Sequence, residues 1–329
     1  MTEALITLYK TLLFNVPNTT PALKTYAIVD SIRDEKVKEK ILFSGLNTID
    51  LWHEELFENE QDVPLYLIEL EKDNELLDYL LNNHKKSIAT YFISPYSLET
   101  LQSYYSTFTH VNIEIEENNF EKGIFGFYDP NILANYIQTL YTEEKVDAFF
   151  AGVAMWLSPS VEKEDELYIV FRDKEGEVDD VNLQLAQFIK ENATMLHFDD
   201  VAFPDISYLQ AHEVYIDQKQ IAMFDEMEKR KFVDDIFEEY KKEGHTFYYP
   251  EAFNKQRALG LFDEAKSIGI SSEAGIYLYI LLTLLYIEPL QNFKIYQEIK
   301  SAEHIEYKIV LMEDEIERII TNARIKNGS

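Results

Sequence analysis

Two short stretches carry the residue types that could do chemistry. His53-Glu54-Glu55 sets an imidazole beside two carboxylates, and His197-Phe198-Asp199-Asp200 sets one near another pair. Imidazole and carboxylate can hold zinc or move a proton. A helical zinc motif needs a second histidine one turn on, and neither stretch has it. The remaining histidines do not cluster. Carboxylate pairs such as Glu114 and Glu116, or Asp234 and Asp235, arise by chance in a chain with 60 acidic residues, so they do not nominate a glycosidase dyad. The ten glycines are scattered, with no phosphate-cradling loop and no glycine-flanked serine elbow. Cysteine is absent, which removes disulfides, thiolate catalysis and cysteine-bound metal. The expectation is a protein that is not an enzyme and holds no cofactor or metal.

Composition bounds the rest. A chain of 329 residues, 46% of them hydrophobic, is long enough for a packed core and for two domains. Its net charge of −30 argues against nucleic acid and against an anionic membrane surface, and makes a basic partner the better fit. Near the N-terminus, Glu3 precedes the apolar run and Lys10 interrupts it, unlike a secretory signal. That segment is expected to be a short docking helix, in a cytoplasmic protein.

The elements divide the chain in two. From Tyr26 to about Pro159, β-rich runs alternate with helical stretches at 74–82, 97–108, 130–141 and 143–151, which indicates an α/β (α+β) domain with a mixed sheet covered by helices. A strand at 167–171 and a helix at 181–191 belong to an excursion over 160–212, so the first domain is placed at 1–212. An all-α helical-bundle lobe is expected over 213–329. Asp217 and Gln220 have the spacing of an N-cap and its return partner, and Phe232, Ile236 and Tyr240 recur every fourth residue up to Gly244. A helix over 251–268 stops at Gly269, and Ser271 or Ser272 caps an apolar helix at 276–287. A last helix carries Ile305, Ile309, Met312, Ile316 and Ile320 on one side. The apolar helix, at twelve residues, is too short to span a bilayer, which needs about 20. It is expected to be the buried centre of the lobe, or a partner groove floored by Tyr277, Tyr279 and Tyr286 next to Gly269.

The most tightly specified local feature is GIFGFYDP at 123–130, running into NILANYIQTLY. It reads as a strand ending in a helix cap. Phe125 and Phe127 lie on one face, and Ile124, Gly126 and Tyr128 on the other. Asp129 suits the N-cap and Pro130 the first helical position, where its missing N–H costs nothing. The role is structural rather than chemical.

Taken in order, Tyr26-Ala27-Ile28-Val29-Asp30, Phe43-Ser44-Gly45-Leu46, the apolar runs at 64–70 and 87–94, the helix start at 97–101, GIFGFYDP, and Phe149-Phe150-Ala151-Gly152 with Met155-Trp156 form a series. This series, over 26–156, resembles the N-terminal domain of the bacterial type VI secretion adaptors, or effector chaperones. Ala265-Lys266-Ser267-Ile268-Gly269-Ile270, leading into the apolar helix, agrees with the helical part of the same family. The resemblance implies a non-enzymatic adaptor whose partners are a secreted effector and the type VI spike protein. Its motif residues here are Tyr26, Asp30, Phe125, Gly126, Phe127, Tyr128, Asp129 and Pro130, structural or partner-facing. Relatives usually have Arg where this chain has Gly126, and often Gly where it has Glu288-Pro289. The other class that fits the charge is an acidic immunity protein masking a basic toxin.

Overall fold

A computed structural model describes residues 3–14, 22–51, 65–117, 119–159, 166–172, 178–184, 214–242 and 254–285. His53, His197, Gly244, Tyr286, Glu288 and the expected helix through Ile305 and Ile320 lie outside these residues. The chain divides into two compact units between Phe224 and Asp225, inside one helix, whereas the sequence pattern changes character at 213.

The first unit is built on strand β1 (Lys24–Asp30), flanked by β3 (Leu65–Glu69) and β4 (Ala89–Ser94). With β2 (Thr48–Asp50), β7 (Met155–Pro159), β8 (Glu166–Arg172) and β9 (Val178–Gln184) they make a seven-stranded sheet in the order β2-β3-β1-β4-β7-β8-β9. Period-two geometry sends alternate side chains to opposite faces, and both faces are covered. Ala27, Val29, Ile68 and Tyr91 pack with α1 (Glu3–Phe14), α2 (Glu35–Phe43) and α3 (Glu75–Asn82). Tyr26, Ile28, Phe92 and Trp156 pack with α4 (Leu98–Tyr105), α5 (Pro130–Gln138) and α6 (Glu143–Phe150). Burial on two faces explains why these strands read as continuous apolar runs. The docking helix is present as α1: Leu8, Tyr9 and Leu13 are buried, and the Leu13 carbonyl accepts from the Thr25 hydroxyl at 2.5 Å.

Local chemistry starts the helices as expected. Asn74, Ser97 and Thr142 each accept from a backbone N–H in the first turn of α3, α4 and α6. Asp34 does so for α2, and its carboxylate also accepts from Lys86 at 2.6 Å and Tyr79 at 2.7 Å. These bonds, from Lys86 first and then Tyr79, hold its pKa down at about 2.

Three expectations are corrected. The large sheet is not mixed: every pairing in it is antiparallel. The β3–α3–β4 crossover does leave β3 and β4 pointing the same way, since both oppose β1, but β1 lies between them and separates the parallel pair. Among the described residues the parallel pairing is β10 (Val214–Ile216) on β5 (His110–Glu116), in a small sheet ordered β10-β5-β6 with β6 (Asn119–Ile124). Next, 181–184 is strand, not helix. Val181 and Leu183 alternate with Asn182 and Gln184 and pair with Ile169 and Leu167, so cross-strand partners override a short helical pattern. It follows that β8 and β9 extend the main sheet rather than forming an excursion beside it. Lastly, the strand in GIFGFYDP ends at Ile124, because Phe125 donates to the Thr109 carbonyl where β5 has not yet begun.

In the second unit, the later part of α7 (Gln218–Lys242) shares an apolar cluster with α8 (Lys255–Ser267) and α9 (Glu273–Leu285). Ile236 is buried and Phe232 packs edge-on to Phe262 at 5.5 Å. Gly269, at φ +94°, ends α8 as expected: Ile270 donates to the Ala265 carbonyl. Ser272 caps α9, bonding the Gly275 N–H. No described helix is long and apolar enough to cross a membrane.

Acid should weaken the first unit in two windows. Burial pushes His84, 4% exposed, below its ordinary value, so below that value the unfolded chain binds the extra proton and stability falls as pH drops. Asp34 contributes stability above the ordinary carboxylate value, lost as pH falls towards about 2. Thermal melts across pH should show an early loss, starting near about pH 6.5, that is reduced in His84→Leu, and a later one reduced in Asp34→Asn.

Candidate functional site

The motif residues converge where the end of β1 meets the start of α5. Asp30, the last residue of β1, accepts from the Ile32 N–H at 3.0 Å and from Arg33 Nε at 3.2 Å. A second guanidinium nitrogen of Arg33 donates to Asp129 Oδ2. One arginine thus joins two nearly buried carboxylates, 8% and 7% exposed, that are far apart in sequence. Burial works against the guanidinium charge, but Asp129 and then Asp30 outweigh it and raise the Arg33 pKa. Asp129 occupies the N-cap position: its carbonyl accepts from Leu133 and its N–H donates to Gly126, closing a tight turn. Pro130 is buried as the first helical residue. The Asp129 carboxylate, through Arg33, ties the start of α5 to the end of β1.

Aromatic packing holds the same turn from inside. Phe127 is fully buried, with Tyr105 and Phe108 each 5.8 Å away between ring centres, and Phe125 meets Tyr136 at 4.6 Å. The predicted in–out alternation survives although the backbone is a turn. Tyr128 is half-buried; burial, then Asp30, push its phenol above the ordinary value. Tyr26 lies deeper, stacked on Phe92 at 5.5 Å with its hydroxyl on the Tyr96 carbonyl. Gly126 has no left-handed backbone to justify it. A Cβ there would sit 3.0 Å from Cδ1 of Ile132, so a larger residue would have to move only the tip of that side chain.

The remaining candidates do not gather here. In the second unit, Tyr279 is 1% exposed within the core and Tyr277 is half-buried, so Tyr279 packs the helices instead of flooring a groove. Glu114 caps α7 by accepting from the Gln218 N–H at 3.0 Å, and Asp234 pairs with Lys255. Asp217 caps α7 through the Gln220 N–H, but the Gln220 side chain turns away from the expected return bond to reach Thr139 and Lys145. Among the described residues no three His, Asp or Glu side chains converge as a metal ion would require. Sequence reasoning missed Arg33. Its only local sign was a cation three residues after a strand-ending aspartate, and its bond to Asp129 spans the fold.

The geometry coincides with a family match. Residues 25–146 match a family described as a domain of unknown function, DUF4123. No curated protein and no solved structure matches the chain. The DUF4123 segment runs from β1 into α6 and contains both ends of the Arg33 link and the whole aromatic turn.

Two variants test this construction of the DUF4123 segment. Phe127→Ala should lose about 3–5 kcal/mol, enough to unfold a marginal domain, as read by chemical denaturation. Arg33→Ala should lose about 1–3 kcal/mol, moderated because the guanidinium is a third open to water. In a double-mutant cycle with Asp129→Asn the two losses should fall short of adding.

Proposed function

We propose that this protein is a non-enzymatic cytoplasmic adaptor that binds a type VI secretion effector and helps load it onto the spike protein. The observation that carries the reading is the DUF4123 match over 25–146, a domain linked to type VI effector-associated proteins. The site supports it. Its charged groups are committed to one another and its aromatics to packing, which is how a rigid binding platform is built rather than a reactive centre. The net charge of −30 favours a basic partner surface. That same charge also fits a second reading, an immunity protein covering a basic toxin.

A pull-down of the tagged full chain from its native cytoplasm, eluted in steps of rising salt and read by mass spectrometry, separates the two. A large effector, with or without a spike protein, is the expected result. A single small basic toxin whose activity is blocked would replace the adaptor reading with the immunity one.

A further inference from the structure

Strand β6 forms one side of the small sheet: among the described residues it has β5 on one flank and no strand on the other. Backbone N–H and C=O groups along such a flank are a template for an added strand. Register sorts the side chains. Val111, Ile113, Val214 and Ile216 turn towards the core of the unit. Phe120, Lys122 and Ile124 share the opposite face with Tyr215, which sits two strands away. Phe120 and Tyr215 meet edge-on at 5.5 Å although 43% and 44% exposed, and Ile124 is 64% exposed.

This edge is weakly guarded. It holds no proline, its irregularity lies on the β5 side between Glu114 and Glu116, and Lys122 is its one cation. The hairpin is otherwise acidic, with Glu116, Glu117 and Glu121 all exposed. A second copy of the chain would bring the same carboxylates, and its own share of a −30 charge, against this one. A segment carrying lysine or arginine would meet Glu121 on the strand and Glu116 and Glu117 at the turn before it.

We propose that the β6 edge takes up an extended, basic segment of the partner as an added strand, with alternate apolar side chains resting on Phe120 and Ile124. This rests on the adaptor reading, the segment then belonging to the effector. Main-chain bonds supply the grip, the apolar face sets the register, and the acidic flank selects for positive charge.

The test is hydrogen exchange of the full chain with a short peptide alternating lysine and valine, against one alternating glutamate and valine. The basic peptide should slow exchange over 119–124 with a salt-sensitive affinity, and the acidic one should not. Phe120→Ser with Ile124→Ser, both exposed and so expected to melt as wild type does, should weaken binding by about tenfold. Unchanged exchange in β6, equal slowing by both peptides, or slowing that tracks protein concentration without peptide would each overturn the proposal. The same double variant in the pull-down keeps the two ideas apart. If it captures the effector as well as wild type, the edge is not the route while the adaptor reading stands. If wild type captures no effector, the adaptor reading fails and the peptide result reports on the edge alone.

Discussion

Strand β1 has a strand on either side and no water on either face, so every side chain from Thr25 to Asp30 must be accommodated inside the protein. For Ile28 and Val29 this is favourable, each buried aliphatic side chain contributing about 1.5–3 kcal/mol. For Asp30 it is a problem, because a carboxylate 8% exposed needs a partner. Arg33 meets that need from the next turn and donates through another guanidinium nitrogen to Asp129. The demand of one buried charge therefore fixes where α5 begins, and with it the turn that buries Phe125 and Phe127. The motif at 123–130 and the one at 26–30 are two halves of a single joint.

Around that joint the protein divides its labour between inside and outside. Aromatic rings from α4, α5, α6 and β7 fill one face of the sheet in edge-on, tilted and stacked contacts. The small sheet packs one face on those rings and, among the described residues, has no strand beyond β6. The second unit has a separate apolar cluster of its own, in which Tyr279 serves packing.

Much of this was legible in the chain, for local reasons. Helix starts at Asn74, Ser97, Thr142 and Ser272 follow from side chains that bond the next turn, and the stop at Gly269 follows from a backbone that other residues resist. The strands at 24–30, 65–69 and 89–94 announced themselves by apolar runs. Where sequence reasoning failed, a distant partner was deciding. The stretch at 181–184 is a strand because β8 lies beside it, and Phe125 leaves the sheet because β5 starts only at His110. Gln220 has the spacing of a capping partner, yet Thr139 and Lys145 compete for its amide more effectively.

By itself the sequence determined most helices and the central strands of the first unit, that Pro130 starts a helix, and that the chain is strongly acidic without cysteine chemistry. These depend on neighbours within a few residues or on sums over composition. Only the tertiary structure decided that β1 separates β3 from β4 and makes the large sheet antiparallel, that Arg33 unites Asp30 with Asp129, that Tyr279 is core, and that β6 pairs with β5 and with no other described strand. Each of those is a pairing between segments far apart in the chain, and periodicity carries no information about which distant surface will come to meet it.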